Sequence, residues 1–331
     1  MEQTKKNRIL ISGAYGFIGY HLTKFLLSKG YQVVSFGNTN LATERLFQDL
    51  KIVFKDNLQM YGKEITDTDG DVMVHLAASK STSLTRDFDG NELLLNNISI
   101  DSDLMREFEI YQEKDPQRKL KFIYMSTAEV YGENFLRGSY LDEYSSCAVY
   151  PQNSYAYPIS KICGEAFLNT GSWSFDWNII RLQNPYGPLM GDKTLPVKLI
   201  TAALNGEKIF RLDNPNDTRP YIYVSDVAEA VERVIHHGVN HRTYNLCGTK
   251  EIGIKALLQW FSDKYTGGSL KIDYDIDSLI YKGTHRHLDM ARFNSEVGLK
   301  QFVSIEEGID KTYDFYAKNL AVAKSMLSMG I

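Results

Sequence analysis

Short apolar runs alternate with longer amphipathic segments over the first two-thirds of the chain. The apolar runs predict strands at residues 8–12, 32–36, 52–54, 72–75, 120–125 and 177–182. The amphipathic segments predict helices at residues 17–29, 91–112 and 155–170. Runs that are apolar throughout and separated by helices are typical of parallel strands covered on both faces. The pattern therefore predicts an α/β fold built on a Rossmann-type, doubly wound parallel sheet.

The pattern changes after Pro185-Tyr-Gly-Pro188, where the apolar segments become shorter and are interrupted by polar loops. Helices are still predicted at residues 224–236 and 254–265, but they alternate less regularly with strands. We interpret residues 1–184 as a Rossmann domain and residues 185–331 as a smaller C-terminal α/β lobe that binds the substrate. Because no flexible linker or repeat separates the two parts, we expect them to pack together around a cleft.

Composition and charge exclude several classes of protein. The 331 residues carry a formal net charge of −4, so there is no basic surface that favours nucleic acid or an anionic membrane. No apolar run reaches the roughly 18 residues that a membrane helix needs, and glycines interrupt the first one, which argues against a secretion signal. Cys147, Cys163 and Cys247 are odd in number and far apart, as is typical of reduced thiols. The sequence therefore predicts a cytoplasmic protein, and its histidines lack the spacing of a metal site.

A glycine-rich turn connects the first predicted strand to the first predicted helix. Its residues are Gly13, Ala14, Tyr15, Gly16, Phe17, Ile18 and Gly19. Three glycines at this spacing are weak evidence alone, but a strand before them and a helix after them is the context of a dinucleotide site. Glycines permit a tight turn and let a pyrophosphate approach the backbone at the helix N-terminus. We expect a dinucleotide here; the alternative is a set of glycines needed only for the turn.

The ends of the second and third strands leave the choice between NAD and NADP open. The second strand runs into Gly37-Asn38-Thr39-Asn40, which offers neither the acid that binds the ribose of NAD nor an arginine for the phosphate of NADP. Asn38 is the candidate contact at this position. Asp56, at the end of the third strand, either accepts a hydrogen bond from the adenine amino group or is a plain turn residue.

Tyr157 and Lys161 are four residues apart at the start of a predicted helix. This spacing places both side chains on one helix face, and Pro158 is tolerated in the first turn. A phenol with a pKa near 10 is a poor base at neutral pH. A nearby ammonium group and a positively charged nicotinamide ring both stabilise the phenolate. The pair therefore suggests a general base beside the cofactor, although an ordinary exposed Tyr–Lys pair would give the same pattern.

Several motifs occur together and in order along almost the whole chain. They are the glycine turn, His75-Leu-Ala-Ala78, Asn97, Ser126-Thr-Ala-Glu-Val-Tyr-Gly132, Tyr157-x-x-x-Lys161, Arg181-Leu-Gln-Asn184-Pro-Tyr-Gly-Pro188 and Arg219-Pro-Tyr-Ile-Tyr-Val-Ser-Asp226. With them the chain resembles the extended short-chain dehydrogenase/reductases, in the nucleotide-sugar epimerase/dehydratase branch. One motif departs from the family pattern: Asn-Val-x-Gly-Thr is replaced by Asn97-Ile-Ser-Ile-Asp101, of which only the asparagine agrees. We expect that helix to pack differently.

The resemblance implies a nicotinamide cofactor in the N-terminal part and a nucleoside-diphosphate sugar in the cleft. It implies that Thr127 binds the reacting sugar hydroxyl, that Tyr157 removes its proton and that Lys161 holds the nicotinamide ribose. The other implied cofactor contacts are Leu76, Ala77, Ala78 and Asn97. The other implied substrate contacts are Lys80, Asn184, Arg219 and Arg286. It also implies a homodimer.

The residues after Thr127 leave several reactions open. The dTDP-sugar 4,6-dehydratases resemble this stretch but carry Asp-Glu there, and Ala128 replaces the Asp that supplies their proton. The Thr-small-Glu pattern is similar to that of uronic-acid decarboxylases and GDP-mannose dehydratases, in which case Glu129 is a base; a structural role for Glu129 is equally compatible. Plain C4-epimerases need neither carboxylate. We expect a nucleotide-sugar epimerase, ahead of a dehydratase or decarboxylase and then a 4-ketoreductase, with a non-catalytic dinucleotide-binding regulator as the remote alternative.

Overall fold

The computed structural model describes residues 8–36, 53–55, 71–79, 89–137, 140–152, 155–190, 194–212, 214–274 and 283–319. Asn38, Asp56 and Lys80, three of the candidate contacts, lie outside these ranges. The residues that would decide between NAD and NADP at the end of the second strand therefore also lie outside them.

The strands and helices follow one another in the order that the hydrophobic pattern predicts for the first two-thirds of the chain. The strands are β1 (Arg8–Ser12), β2 (Gln32–Phe36), β3 (Val53–Lys55), β4 (Val72–His75), β5 (Lys121–Thr127), β6 (Asp176–Leu182), β7 (Pro185–Tyr186), β8 (Ile209–Leu212), β9 (Thr218–Arg219), β10 (Ile222–Tyr223), β11 (Arg242–Leu246), β12 (Ile252–Gly253) and β13 (Lys271–Tyr274). The helices are α1 (Phe17–Ser28), α2 (Gly90–Lys114), α3 (Ala156–Thr170), α4 (Leu195–Leu204), α5 (Val224–His237), α6 (Ile254–Thr266), α7 (Ala291–Glu296) and α8 (Ile305–Lys318). None of these helices is both long enough and apolar enough to cross a membrane.

The main sheet has seven strands in the order β11-β6-β5-β4-β1-β2-β3, and every neighbouring pair is parallel. This arrangement confirms the predicted Rossmann-type α/β fold. The strand order reverses between β1 and β4, because β2 and β3 lie on one side of β1 and the later strands lie on the other. Such a reversal opens a crevice at the carboxyl ends of the strands, where open α/β sheets bind their ligands.

Alternate side chains of the strands pack against two different helix layers, as the period of two along a strand requires. Leu10, Met73 and Phe122 face α2 and α3, whereas Ile9 and Val74 face α1 and α5. Both layers are apolar, which explains why the strand segments read as continuous hydrophobic runs. The sheet is therefore buried on both faces, and polar residues of the strands lie mainly near the strand ends.

The smaller lobe has its own apolar core, between α4, α6 and α8 and the short strand pairs β8–β13 and β7–β10. The predicted division after residue 184 marks where the chain first leaves the main sheet. The chain later returns to it: α5 packs on α1, and β11 pairs with β6 at the edge of the main sheet. Residues after 184 thus contribute both to the smaller lobe and to the domain of the main sheet. The chain therefore passes between these two parts more than once.

Candidate active site

The glycine turn packs tightly against the loop that follows β4. Gly13 has a φ of +72°, and a Cβ at this position would lie 2.8 Å from the backbone nitrogen of Ala77. A Cβ at Gly19 would collide with the carbonyl oxygen of Gly13 and lie 2.6 Å from Cα of Ala14. The first turn of α1 has no acidic residue and no side-chain cap. Its amide groups can therefore receive an anionic ligand, and the turn fits the pyrophosphate of a dinucleotide. Tyr15, Phe17 and Ile18 belong to this turn and to the start of α1.

Asn97 fixes the loop formed by residues 76–79, which contains Leu76, Ala77 and Ala78. The backbone nitrogen of Ser79 donates to Asn97 Oδ1 over 2.7 Å, and Asn97 Nδ2 donates to the carbonyl of Ser79 over 2.9 Å. Asn97 Nδ2 also donates to Ser160 Oγ over 3.0 Å. Both ends of this amide are thus bonded to the protein, and Asn97 joins α2 to the loop and to α3.

Thr127 ends β5 and starts the turn that carries Glu129. It lies opposite Leu182 in the register of β5 and β6, and its Oγ1 accepts a hydrogen bond of 3.2 Å from the backbone nitrogen of Glu129. Gly132, with a φ of +49°, brings the turn so close to residue 148 that a Cβ would collide with its carbonyl group. The side chain of Ala128 is buried. The turn therefore carries a hydroxyl and a carboxylate two residues apart, with the buried Ala128 between them, at the carboxyl edge of the sheet.

Lys161 lies on the buried face of α3, and Tyr157, one turn earlier, is half-buried. Burial raises the pKa of Tyr157 above its ordinary value, and the negative charges of Glu129 and Asp101 raise it further. Burial lowers the pKa of Lys161, against the charges of Asp101 and Glu165, which raise it. Lys161 is 1% exposed, and its Nζ has no hydrogen-bond partner among the described residues. A buried donor without a partner costs about 1–3 kcal/mol, so this ammonium fits a ligand that supplies an acceptor, such as a ribose hydroxyl.

A cavity of about 290 Å³ lies at the carboxyl edge of β5 and β6, between the main sheet and the smaller lobe. Eight polar side chains line it: Thr127, Glu129, Gln183, Asn184, Thr194, Arg219, Tyr221 and Arg286. Five of the predicted catalytic or substrate residues are thus brought to one cavity, namely Thr127, Glu129, Asn184, Arg219 and Arg286. Tyr157 and Lys161 are not among the residues that line it. Its volume is near the lower end of the range of small-molecule sites.

Two arginines lie at the side of this cavity formed by the smaller lobe. Arg219 pairs with Asp217 at 2.6 Å and donates to Thr284 Oγ1 over 3.0 Å, which fixes its guanidinium group. Arg286 lies over the ring of Phe135 at 5.3 Å, and its Nε is buried without a partner among the described residues. Burial lowers the pKa of Arg286, and the charge of Arg219 lowers it further. Two guanidinium groups at one cavity, of which Arg286 keeps an Nε without a partner among the described residues, favour a ligand with phosphate groups.

Two functional candidates were missed by the sequence analysis. Gln183 is 4% exposed and lines the cavity, yet its Oε1 and Nε2 lack partners within the described part of the chain. Asn184, which the family resemblance did identify, has a φ of +45° and a buried Nδ2 without a partner among the described residues. The second missed candidate is Asp101, which is buried next to Lys161 and His75. The departure of Asn97-Ile-Ser-Ile-Asp101 from the family pattern could have drawn attention to Asp101 in the sequence. Gln183 lies inside a motif that agrees with the family, so nothing in the sequence singled it out.

A Rossmann sheet whose crevice holds a buried tyrosine–lysine helix defines a member of the short-chain dehydrogenase/reductase class. The family model described as the NAD dependent epimerase/dehydratase family matches residues 9–247, so the chain belongs to that family. The resemblance in the sequence is confirmed, and the chain is an enzyme of this family.

Relatives with assigned functions catalyse different reactions. A trifunctional UDP-glucose 4,6-dehydratase/UDP-4-keto-6-deoxy-D-glucose 3,5-epimerase/UDP-4-keto-L-rhamnose-reductase of Arabidopsis thaliana is 27% identical over 96% of this chain, which spans only 48% of that relative. A dTDP-D-glucose 4,6-dehydratase of Dictyostelium discoideum is 25% identical over 94% of this chain and 82% of the relative. A UDP-N-acetyl-alpha-D-glucosaminuronate decarboxylase of Bacillus cytotoxicus is 25% identical over 94% of this chain and 98% of the relative.

Solved structures with the same fold include an epimerase and a dehydratase. The UDP-glucose 4-epimerase of Thermotoga maritima, solved with UDP-glucose, superimposes with a TM-score of 0.80 at 22% identity over 95% of this chain and 99% of that one. The dTDP-glucose 4,6-dehydratase of Streptomyces venezuelae, solved with NAD, has a TM-score of 0.80 at 20% identity over 96% and 99% of the two chains. At these identities the likeness shows the fold alone.

Proposed function

We propose that this enzyme uses a retained NAD to oxidise and invert C4 of a nucleoside-diphosphate sugar. One observation carries the proposal: a hydroxyl-bearing turn at Thr127 shares a cavity with two arginines, while the position after it is the buried methyl group of Ala128. These groups are the ones that C4 oxidation needs. The aspartic acid that the similar dTDP-sugar 4,6-dehydratases carry at this position is replaced here by Ala128.

The residues that would hold the cofactor are those of the glycine turn, the loop of residues 76–79 and Lys161. The tight packing at Gly13 and Gly19 and the unpartnered Nζ of Lys161 support this assignment. Bound there, NAD would supply a hydride acceptor for sugar C4 and the positive charge of its oxidised nicotinamide ring. Burial and nearby carboxylates raise the pKa of Tyr157, so a positive charge beside the phenol would favour its deprotonated form.

The chain's own residues bind and orient the sugar. Arg219 and Arg286 bind the diphosphate, and Asn184 donates its free Nδ2 to the same part of the substrate. Thr127 donates or accepts a hydrogen bond at the C4 hydroxyl and holds it toward Tyr157. Tyr157 removes the hydroxyl proton as hydride leaves C4, and it returns the proton when the opposite face of the ketone is reduced. Inversion by this route needs no carboxylate.

Glu129 favours a second candidate function, elimination or decarboxylation after the same oxidation. Its side chain lines the cavity beside Thr127, and its charge acts on both Tyr157 and Arg286, so it is close to the reacting groups. A 4-keto group acidifies the proton at C5, and a carboxylate at this position can remove it. The dehydratase and decarboxylase relatives are compatible with this alternative.

The two candidates are separated by turnover of UDP-, dTDP- and GDP-sugars in deuterium oxide, with the product analysed by NMR and mass spectrometry. We expect a C4 epimer without deuterium at C5, and Glu129→Gln is expected to turn over at close to the wild-type rate. Deuterium at C5 together with loss of activity in Glu129→Gln would favour the second candidate. Glu133→Gln, which removes a carboxylate from the same segment but outside the cavity lining, is the control.

Two further observations test the remaining parts of the proposal. NAD that co-purifies and is regenerated in each cycle supports an internal redox cycle, whereas a requirement for added NADH would indicate a 4-ketoreductase. Cofactor binding without turnover of any sugar would contradict the enzyme proposal. The homodimer expected from the resemblance is checked by light scattering on the purified protein.

A further inference from the structure

Lys161 is a buried cation whose surroundings provide an aromatic face instead of a hydrogen-bond acceptor. Its Nζ lies 4.6 Å from the centroid of the Tyr124 ring, and no hydrogen bond to it is present within the described residues. A cation over an aromatic ring gains about 0.5–2 kcal/mol, which is less than the effective penalty of several kcal/mol for burying a charge. A buried carboxylate in the neighbourhood is needed to keep this lysine protonated.

Asp101 is the carboxylate that binds the hydroxyl group of this ring. The hydroxyl of Tyr124 donates a short hydrogen bond to Asp101 Oδ2, and His75 Nε2 donates to Asp101 Oδ1 over 2.7 Å. His75 Nδ1 in turn accepts from Ser12 Oγ over 2.5 Å. Burial opposes the ionisation of Asp101, but the charge of Lys161 and the hydrogen bonds from His75 and Tyr124 bring its pKa below the usual value. Asp101 is therefore ionised, and its charge acts on Lys161, which lies over the Tyr124 ring.

The backbone of α3 is shaped to allow this contact. Gly164 lies one turn after Lys161 on the same buried face. A Cβ at Gly164 would collide with the hydroxyl oxygen of Tyr124 and would lie 2.5 Å from Asp101 Oδ2. Any larger residue at this position would separate α2 from α3. The close approach of Asp101, Tyr124 and Lys161 thus depends on a glycine with no role in a turn.

The other titratable groups around Lys161 do not replace Asp101. They are His75 on β4, Tyr124 on β5, Glu129 after β5, and Tyr157 and Glu165 on α3. Glu165 also acts on Lys161, but its carboxylate is already paired with Arg181 at 2.7 Å. Burial lowers the pKa of His75, so its ring is neutral and leaves the charge of Asp101 uncompensated. Asp101 is consequently the carboxylate whose charge is available to Lys161.

We propose that Asp101, acting through Tyr124, is a positioning residue that keeps Lys161 protonated and fixed beside Tyr157. The proposal rests on the proposed function, in which Tyr157 is the base. It also gives a physical meaning to the departure from the family pattern, since Asp101 occupies the position where Asn-Val-x-Gly-Thr has its threonine. In this chain a carboxylate beneath the site takes part in setting the charge of the Tyr–Lys pair.

The pH profile of kcat/KM distinguishes this role from that of a passive neighbour, because the two roles predict shifts of opposite sign. The negative charge of Asp101 opposes ionisation of Tyr157 directly, so removing a passive Asp101 would move the acid limb to lower pH. If Asp101 keeps Lys161 protonated, Asp101→Asn lets Lys161 lose its proton, and the acid limb moves to higher pH. We expect the acid limb to shift upward by about one pH unit, which corresponds to a roughly tenfold lower kcat/KM at pH values on the acid limb.

Two variants sharpen this measurement. Tyr124→Phe keeps the ring under Lys161 but removes its hydroxyl bond to Asp101, so we expect a smaller shift in the same direction. Asp103→Asn removes a negative charge from the exposed face of the same helix and is expected to leave the profile unchanged. An unchanged or downward-shifted acid limb in Asp101→Asn overturns the proposal.

A double-mutant cycle on thermal stability tests the same coupling without turnover. Lys161→Met is measured at pH 7 in the wild type and in the Asp101→Asn background. If the charge of Asp101 compensates that of Lys161, Lys161→Met should be less destabilising in the Asp101→Asn background than in the wild type. The melting temperature of the double variant should then exceed the value expected from the sum of the two single effects. If the effects of the two substitutions on the melting temperature are additive, the role proposed for Asp101 is wrong, even if the enzyme turns over a nucleotide sugar. If the effects are coupled but no sugar is turned over, the proposed function is wrong and the role of Asp101 stands. If Asp101→Asn does not fold, the cycle is run with Tyr124→Phe, with the same expectation.

Discussion

Two clusters of buried polar side chains lie on either side of the end of β5, and they are built differently. The closed cluster consists of Ser126, Tyr131, Glu165, Arg181 and Asn245. In it, Arg181 binds Glu165 with two hydrogen bonds of 3.0 and 2.7 Å, Ser126 donates to Glu165, and Tyr131 donates to Asn245 over 2.7 Å. The open cluster consists of Ser12, His75, Asp101, Tyr124 and Lys161. Its chain of hydrogen bonds ends at Tyr124, and its ammonium group has none in the described structure.

The difference separates a structural role from a functional one. Each charge of the closed cluster is bound within the protein, as is typical of buried pairs that hold a fold together. The open cluster keeps one strong donor for a ligand, and it lies beside the glycine turn through Ser12, whose Oγ accepts from the backbone nitrogen atoms of Leu76 and Ala77. Both clusters contain one buried carboxylate and one buried cation, so their arrangement, and not their composition, distinguishes them.

Tyr157→Phe gives the largest expected effect on the functional side of this comparison. Loss of a general base lowers turnover by about 10²–10⁴-fold. The fold should persist, because Tyr157 belongs to neither cluster. Turnover and thermal unfolding are measured together, with Tyr155→Phe as the matched loss of a hydroxyl two residues away. A Tyr157→Phe enzyme with wild-type turnover would contradict the assignment of the base.

Arg181→Met gives the largest expected effect on the structural side. It leaves the carboxylate of Glu165 buried without its partner, so the free energy of unfolding should fall by about 3–5 kcal/mol. Urea unfolding measures this loss. Arg211→Met is the control, because its pair with Asp273 joins side chains that are 85% and 56% exposed, and the expected loss is below about 1 kcal/mol. Equal losses in the two variants would contradict the distinction drawn for the closed cluster.

Gln183 resembles the open cluster, since its buried amide also has no partner among the described residues. Gln183→Met keeps the volume and removes the hydrogen bonds. We expect KM for the nucleotide sugar to rise about tenfold with little change in kcat, and stability to stay the same or increase. Steady-state kinetics and thermal unfolding check both parts, and the exposed Gln259→Met is the control. A fall in stability with unchanged KM would place Gln183 with the structural residues.

His75 gives the smallest effect, a pH dependence that the closed cluster does not share. Burial lowers the pKa of His75, against the hydrogen bond and charge of Asp101. Between about pH 6.5 and this lowered pKa the unfolded chain binds one more proton than the folded protein, so stability is lost as the pH falls through that window. His75→Gln should reduce this slope by up to about 1.4 kcal/mol per pH unit. Unfolding measured between pH 7 and 5 tests it, with the exposed His237→Gln as the control; an unchanged slope would contradict the assignment.

The sequence predicted most of the fold because the relevant signals are local. Each strand of the main sheet up to β6 contains a run of apolar residues, and α2 and α3 begin and end within two residues of the bounds predicted for them. The strand β11 was not predicted. Its residues Arg242-Thr-Tyr-Asn-Leu246 mix polar and apolar side chains, and their place beside β6 depends on a pairing across about 60 residues.

The same limit applies to the site. The Tyr–Lys helix and the glycine turn are local patterns, and the family resemblance assigned further residues by motif. The contact of Asp101 with Tyr124 joins α2 to β5, and the unpartnered amide of Gln183 becomes visible only when the cavity around it is known. Neither periodicity nor spacing carries information about such contacts, because they arise from packing between distant segments.

The return of the chain to the main sheet fixes an order of events during synthesis. Asn245, on β11, binds Tyr131 of the turn that follows β5 and also donates to the carbonyl groups of Leu141 and Asp289 over 2.9 and 3.1 Å. A nascent chain that has reached only residue 184 therefore exposes β6 as an open edge and lacks the residue that anchors this turn. Open strand edges invite pairing with other chains. We therefore expect the turn to reach its native contacts only after β11 has left the ribosome, and until then the β6 edge is a surface that a chaperone can reach.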